Sequence, residues 1–88
     1  MEIRINKRFL KELASLPVKD RQRIEKFVFE DSSGFKKITD IPGLHKLKGY
    51  ANFYRIRFGD YRAGLKHENN IITFERLLHR KEIYKYYP

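Results

Sequence analysis

The chain has 88 residues, 41% of them hydrophobic, with 20 Lys and Arg against 11 Asp and Glu and a formal net charge of +9. That length holds one domain, 1–88, and the hydrophobic share lies above the range of disordered chains. No cysteine is present, which excludes disulfides, thiolate metal sites and a cysteine nucleophile.

Three histidines, His45, His67 and His79, lack the spacing of a metal motif, so neither a metal nor a cofactor is expected. No apolar run approaches the length needed to cross a bilayer, and the opening stretch MEIRINKRFLKEL lacks the continuous apolar segment of a signal peptide. The expectation is a soluble cytoplasmic protein without a membrane partner. The positive charge points to a nucleic acid, an acidic protein or an anionic surface, and composition does not choose among them.

In chain order, EIRIN at 2–6 alternates with Ile3 and Ile5 on one face and predicts a short strand. From residue 7 the period becomes helical, with Phe9, Leu10, Leu13, Ala14 and Leu16 forming an apolar stripe and Asn6 placed to cap it. Pro17 ends that helix and opens VKDRQRIEKFVFED, whose Ile24, Phe27 and Val28 make the second apolar face. DSSGF at 31–35 terminates it. The segment KKITDIPGLHKLKG, with Pro42, Gly43 and Gly49, reads as loop with at most a short helical turn.

From Asn52 the period is two. Phe53, Arg55 and Arg57 share one face of a strand, and Tyr54, Ile56 and Phe58 share the other. Gly59-Asp60 is a turn, YRAGLKH a returning strand with Arg62, Gly64 and Lys66 on one face, ENN a second turn, and IITFERLL a third strand. HRKEIYKYYP closes as a helical turn or short helix. The predicted order is β-α-α-β-β-β with a short C-terminal helical segment. This is an α+β domain, with two helices on one face of a small, largely antiparallel sheet.

Between residues 45 and 66, six basic residues (Lys46, Lys48, Arg55, Arg57, Arg62, Lys66) face one acid, Asp60. With the apolar strand face covered by helices, Arg55 and Arg57 fall on the open face, and a tight hairpin brings Arg62 to them. Solvated strand positions are often charged, but clustering on one face favours a polyanion, and arginine suits bidentate phosphate contacts. The end of the chain adds Arg76, Arg80, Lys81 and Lys85 against Glu82, interleaved with Tyr84, Tyr86 and Tyr87. Cations that hold a backbone beside rings that stack on unpaired bases suit single-stranded RNA or DNA. The tyrosines serve equally to pack a helix onto the sheet, the reading favoured for Tyr87. His79 is either an acid/base group, a role imidazole suits, or a ring packed at the sheet edge.

The ordered set Leu47-Lys48-Gly49, YRIR at 54–57, GDYR at 59–62 and HRKEIY at 79–84 resembles the RelE/ParE superfamily of toxins from toxin–antitoxin pairs, RelE branch. The resemblance implies a metal-independent, ribosome-dependent mRNA endoribonuclease in which the ribose 2′-OH attacks the adjacent phosphate. It also implies a cognate acidic antitoxin, a toxin–antitoxin hetero-oligomer, and the ribosome and mRNA as partners. Carried onto this chain, the catalytic positions fall on Arg57, Arg62, Arg80 and Tyr84, with His79 the competing base. Lys46, Lys48, Arg55, Lys66, Lys81 and Lys85 fall to RNA binding. Two departures stand out. The paired strand positions hold arginine where the branch often has lysine, and arginine makes a phosphate clamp but a poor base. A Gly-His-Arg pattern is Leu78-His79-Arg80 here. The alternatives are a ParE-type toxin that inhibits DNA gyrase by binding, and a non-catalytic RNA- or ribosome-binding protein.

Overall fold

The computed structural model describes residues 1–88. Strand β1 (Glu2–Ile5) runs into Asn6, whose side chain accepts a hydrogen bond from the Phe9 backbone N–H at 2.9 Å. This is the expected cap, and it satisfies one of the free donors at the start of α1 (Lys7–Ala14). Pro17, which lacks an N–H, stands at the head of α2 (Val18–Lys26), with Asp20 in its first turn. The helix does not continue unchanged to Asp31. Residues Phe27–Asp31 widen into a turn in which the Ser32 N–H reaches back five residues to the Phe27 carbonyl, and the buried Ser32 hydroxyl donates to the Val28 carbonyl at 2.7 Å.

The segment expected to be loop holds one more strand. After a single turn at Ile38–Asp40, β2 (Leu44–Lys46) pairs antiparallel with β3 (Phe53–Phe58). Three residues with one apolar side chain carry too little periodicity to be read as a strand, and the partner's free edge supplies the pairing. β4 (Tyr61–Glu68) and β5 (Ile71–His79) complete an antiparallel meander, and β1 pairs parallel with β5, so the sheet order is β1-β5-β4-β3-β2. The β4–β5 turn holds Asn69 and Asn70 at φ 50° and 61°, the left-handed pair that a tight hairpin requires. α3 (Ile83–Tyr86) ends the fold.

The core lies between the two N-terminal helices and one sheet face. Phe9 and Leu13 of α1, Ile24 of α2 and Val28 after it meet Ile56, Ala63, Leu65, Ile72, Phe74 and Leu77 of the sheet. Phe9 and Phe74 pack with ring centroids 5.4 Å apart. The α1 stripe is narrower than expected, since Leu10 stays 41% exposed. Glu12 of α1 pins the helix to β5 by accepting from the Leu77 N–H at 2.9 Å and pairing with the Arg76 guanidinium at 2.8 Å, both side chains largely buried. Arg76 is thereby withdrawn from the basic surface that the sequence suggests at the end of the chain.

Candidate nucleic-acid interface

With the helices on one face, the other face of β3 and β4 is where the arginines emerge. Arg55 pairs across the ladder with Gly64, Arg57 with Arg62, and Phe53 with Lys66, so these side chains share the open face. Arg57 directly opposite Arg62 places two like charges where cross-strand neighbours repel. Burial, then the charges of Arg57 and Arg55 and lastly that of Arg80, lower the Arg62 guanidinium below its ordinary value, while Tyr84 works the other way. Five residues from three regions of the chain therefore act on one another electrostatically. Arg62 is also held by the turn, donating to the Gly59 carbonyl at 2.6 Å and the Tyr61 carbonyl at 3.0 Å.

Arg55, Arg57 and Arg62 form no ion pair with a carboxylate, whereas Arg80 lies 3.7 Å from Asp60 and Lys66 lies 3.1 Å from Glu68. On the open face of β3 and β4 the uncompensated charge is thus that of the three strand arginines. A surface of this kind is held against its own repulsion, and a polyanion relieves it.

Tyr84 on α3 stands 71% exposed with the Arg55 guanidinium 4.8 Å from its ring centroid. Arg80 and Tyr84 do not share a helix, because α3 begins only at Ile83; Arg80 sits in the preceding turn, its N–H bonded to the Asp60 carbonyl at 2.7 Å. Tyr87 packs. Its ring meets Phe53 edge-on at 5.8 Å, its hydroxyl donates to Glu75 at 2.9 Å, and burial together with that carboxylate pushes its phenol well up.

Not every candidate joins this face. His79 is the cross-strand partner of Tyr61, with ring centroids 5.7 Å apart, so it projects from the opposite face of the sheet to Arg62. Its Nδ1 accepts from the Lys81 N–H at 3.2 Å. Lys46 is the partner of Tyr54 and points to that same side. Lys81 and Lys85 are exposed, Lys85 being 4.0 Å from Glu82. Conversely, the structure brings in two residues that the sequence reading passed over. His45, opposite Arg55, shares the arginine face, a placement hidden until β2 is seen to pair. Tyr50, from the loop after β2, lines a groove with Lys48, Arg55, Tyr84 and Tyr87. No group of three or more His, Cys, Asp or Glu side chains gathers anywhere in the molecule.

Fold and surface define a class: a small α+β domain whose sheet turns an unpaired arginine cluster and an exposed tyrosine outward. No family model matches the chain. It is 40% identical over 89 residues to Toxin RelE3 of Methanocaldococcus jannaschii, covering all of both chains. The toxin in the RelB–RelE antitoxin–toxin complex of Methanococcus jannaschii superposes with a TM-score of 0.79 at 40% identity, over 97% of this chain and 99% of that one. The archaeal RelE–RelB complex of Pyrococcus horikoshii gives a TM-score of 0.68 at 28% identity, over 90% and 93%. The isolated Escherichia coli RelE toxin, at 20% identity and a TM-score of 0.66, shares the fold. The chain belongs to the RelE family of toxins.

Proposed function

We propose that this toxin is a metal-independent endoribonuclease that cuts mRNA on the ribosome, and that in the resting cell an acidic antitoxin covers it. The observation that carries the reading is the set Arg55, Arg57 and Arg62, unpaired and mutually repelling beside the exposed Tyr84. In the reaction the ribose 2′-oxygen bonds to the neighbouring phosphorus and the bond to the 5′-oxygen breaks. The 2′ proton goes to a base, and a proton is returned to the 5′-oxygen. Negative charge grows on the phosphoryl oxygens, and arginines preorganised around them lower the barrier because they act on charge that develops in the transition state. We assign this to Arg57, Arg62 and Arg80, and substrate positioning to Arg55 with Lys48 and Lys66.

Tyr84 is assigned as the general base. A phenol hydroxyl serves as a base when cations stabilise its anion, and Arg55 stands against the Tyr84 ring. The direction of His79, away from Arg62, supports giving the role to Tyr84. The antitoxin assignment is supported by the relatives crystallised with RelB partners and by the chain's charge of +9.

The test is a reconstituted translation reaction. Purified toxin should cut mRNA in actively translating ribosomes and leave it intact when ribosomes are omitted. Toxin that leaves translated mRNA whole while blocking DNA supercoiling by gyrase would replace this reading with the gyrase-directed one.

A further inference from the structure

The groove between the β2–β3 loop and the C-terminal segment has a volume of about 230 Å³ and is bounded by Tyr50 and Lys48 on one side and Tyr84 and Tyr87 on the other, with Arg55 also lining it. Two of its rings are unusually free: Tyr84 is 71% exposed and Tyr50 50% exposed. Tyr50 touches the body of the protein edge-on at Phe53, ring centroids 6.2 Å apart, which leaves much of its surface to solvent. Large apolar surface left open around a concavity costs stability unless something occupies it. No Asp or Glu side chain lines this groove, and its two charged side chains, Lys48 and Arg55, are both cations.

We infer that the groove is a base slot: it takes one unpaired nucleobase of single-stranded RNA, with Tyr50 as a stacking wall and Lys48 and Arg55 on the flanking phosphates. The chemistry is complementary on each count. Every base offers a flat π-face to an aromatic wall, and the phosphates on either side of it need cations. An acidic peptide would satisfy the cations but gains less from rings arranged around so small a space. The inference rests on the reading of this protein as an RNA-directed toxin and adds to it a recognition residue, Tyr50, outside the arginine cluster. Because the slot lies beside Arg55 and Tyr84, a base held there would set which phosphate faces the arginines.

The probe is a tetraribonucleotide with 2-aminopurine at one position and abasic residues at the others, titrated at low salt into the intact toxin. Stacking should quench the fluorophore saturably, and a fully abasic tetramer should bind more weakly. Tyr50→Ala should weaken binding of the fluorescent tetramer about 10-fold, abolish the quench, and leave the abasic tetramer's affinity unchanged. Tyr50→Phe should behave as wild type, which separates loss of the ring from loss of the hydroxyl. No binding, no preference for the base, or equal quenching by Tyr50→Ala overturns the slot. The two readings fail separately. A toxin that stacks the base but leaves ribosome-bound mRNA intact sinks the ribonuclease assignment alone, and one that cuts mRNA but shows no Tyr50-dependent quench sinks the slot alone.

Discussion

The ring of Tyr87 occupies the space that a side chain at Gly64 would fill: a Cβ there would stand 2.6 Å from the ring's Cδ2. A glycine in the middle of β4 is a weak strand former, and here its reason is a close approach. The C-terminal segment is docked on the sheet by this contact, by Phe53 and by the hydroxyl bond to Glu75. Gly64→Ala should therefore cost about 1–3 kcal/mol, as overpacking of a filled site does. In a Tyr87→Ala background the same change should cost little. Urea unfolding of the four proteins measures the coupling, and additive costs would show that the two residues do not share the space.

Alkaline stability reports on the same residue. The Tyr87 phenol is raised in the folded protein by burial and by Glu75, whereas in the unfolded chain it ionises near pH 10. Below that pH both states hold the proton and the contribution is fully present. Above it the unfolded state releases the proton while the folded state keeps it, so stability falls as pH rises. Tyr87→Phe should lose stability less steeply between pH 10 and 11 than wild type, measured by denaturant midpoints. Parallel slopes would show that Tyr87 ionises alike in both states.

The arginines should divide by function. Arg62→Ala and Arg80→Ala should each lower cleavage of ribosome-bound mRNA by about 10²-fold or more, the scale for removing a transition-state charge contact. Single-turnover rates with saturating toxin read this, since they are insensitive to a weakened encounter. Arg55→Ala should act mainly on the concentration needed for half-maximal cutting. A variant of Arg62 that cuts at the wild-type rate would remove that residue from the machinery.

Proton transfer is tested by conservative changes. Tyr84→Phe keeps the ring over Arg55 and loses the hydroxyl, so cutting should fall steeply while ribosome binding persists. His79→Gln should stay within a few-fold of wild type, because its ring lies against Tyr61 on the other side of the sheet. His45→Gln completes the set, since His45 shares the face of Arg55. An inactive His45→Gln beside an active Tyr84→Phe would move the base to the edge strand.

Periodicity made most of the fold legible. The helical stripe over Phe9 and Leu13, the cap at Asn6, the alternation of Tyr54, Ile56 and Phe58 and the two hairpin turns are local signals, and each element forms where its own residues place it. The grouping of Arg55 and Arg57 on one face follows from the same period of two. Local signals end where pairing partners decide. β2 exists because β3 offers a free edge, and its register, rather than its composition, puts His45 on the arginine face and Lys46 on the other. The direction of His79 likewise depends on the β4–β5 ladder, whose register shifts at Gly64/Leu65, so counting alternate residues along β5 from Ile72 gives the wrong face at its far end. The capture of Arg76 by Glu12, 64 residues away, and the burial of Tyr87 over Gly64 are contacts between distant segments. The sequence determined which residue types were present and which local faces they shared. Tertiary pairing alone decided which of the basic and aromatic side chains meet, because a strand's neighbours, unlike its period, lie outside the strand.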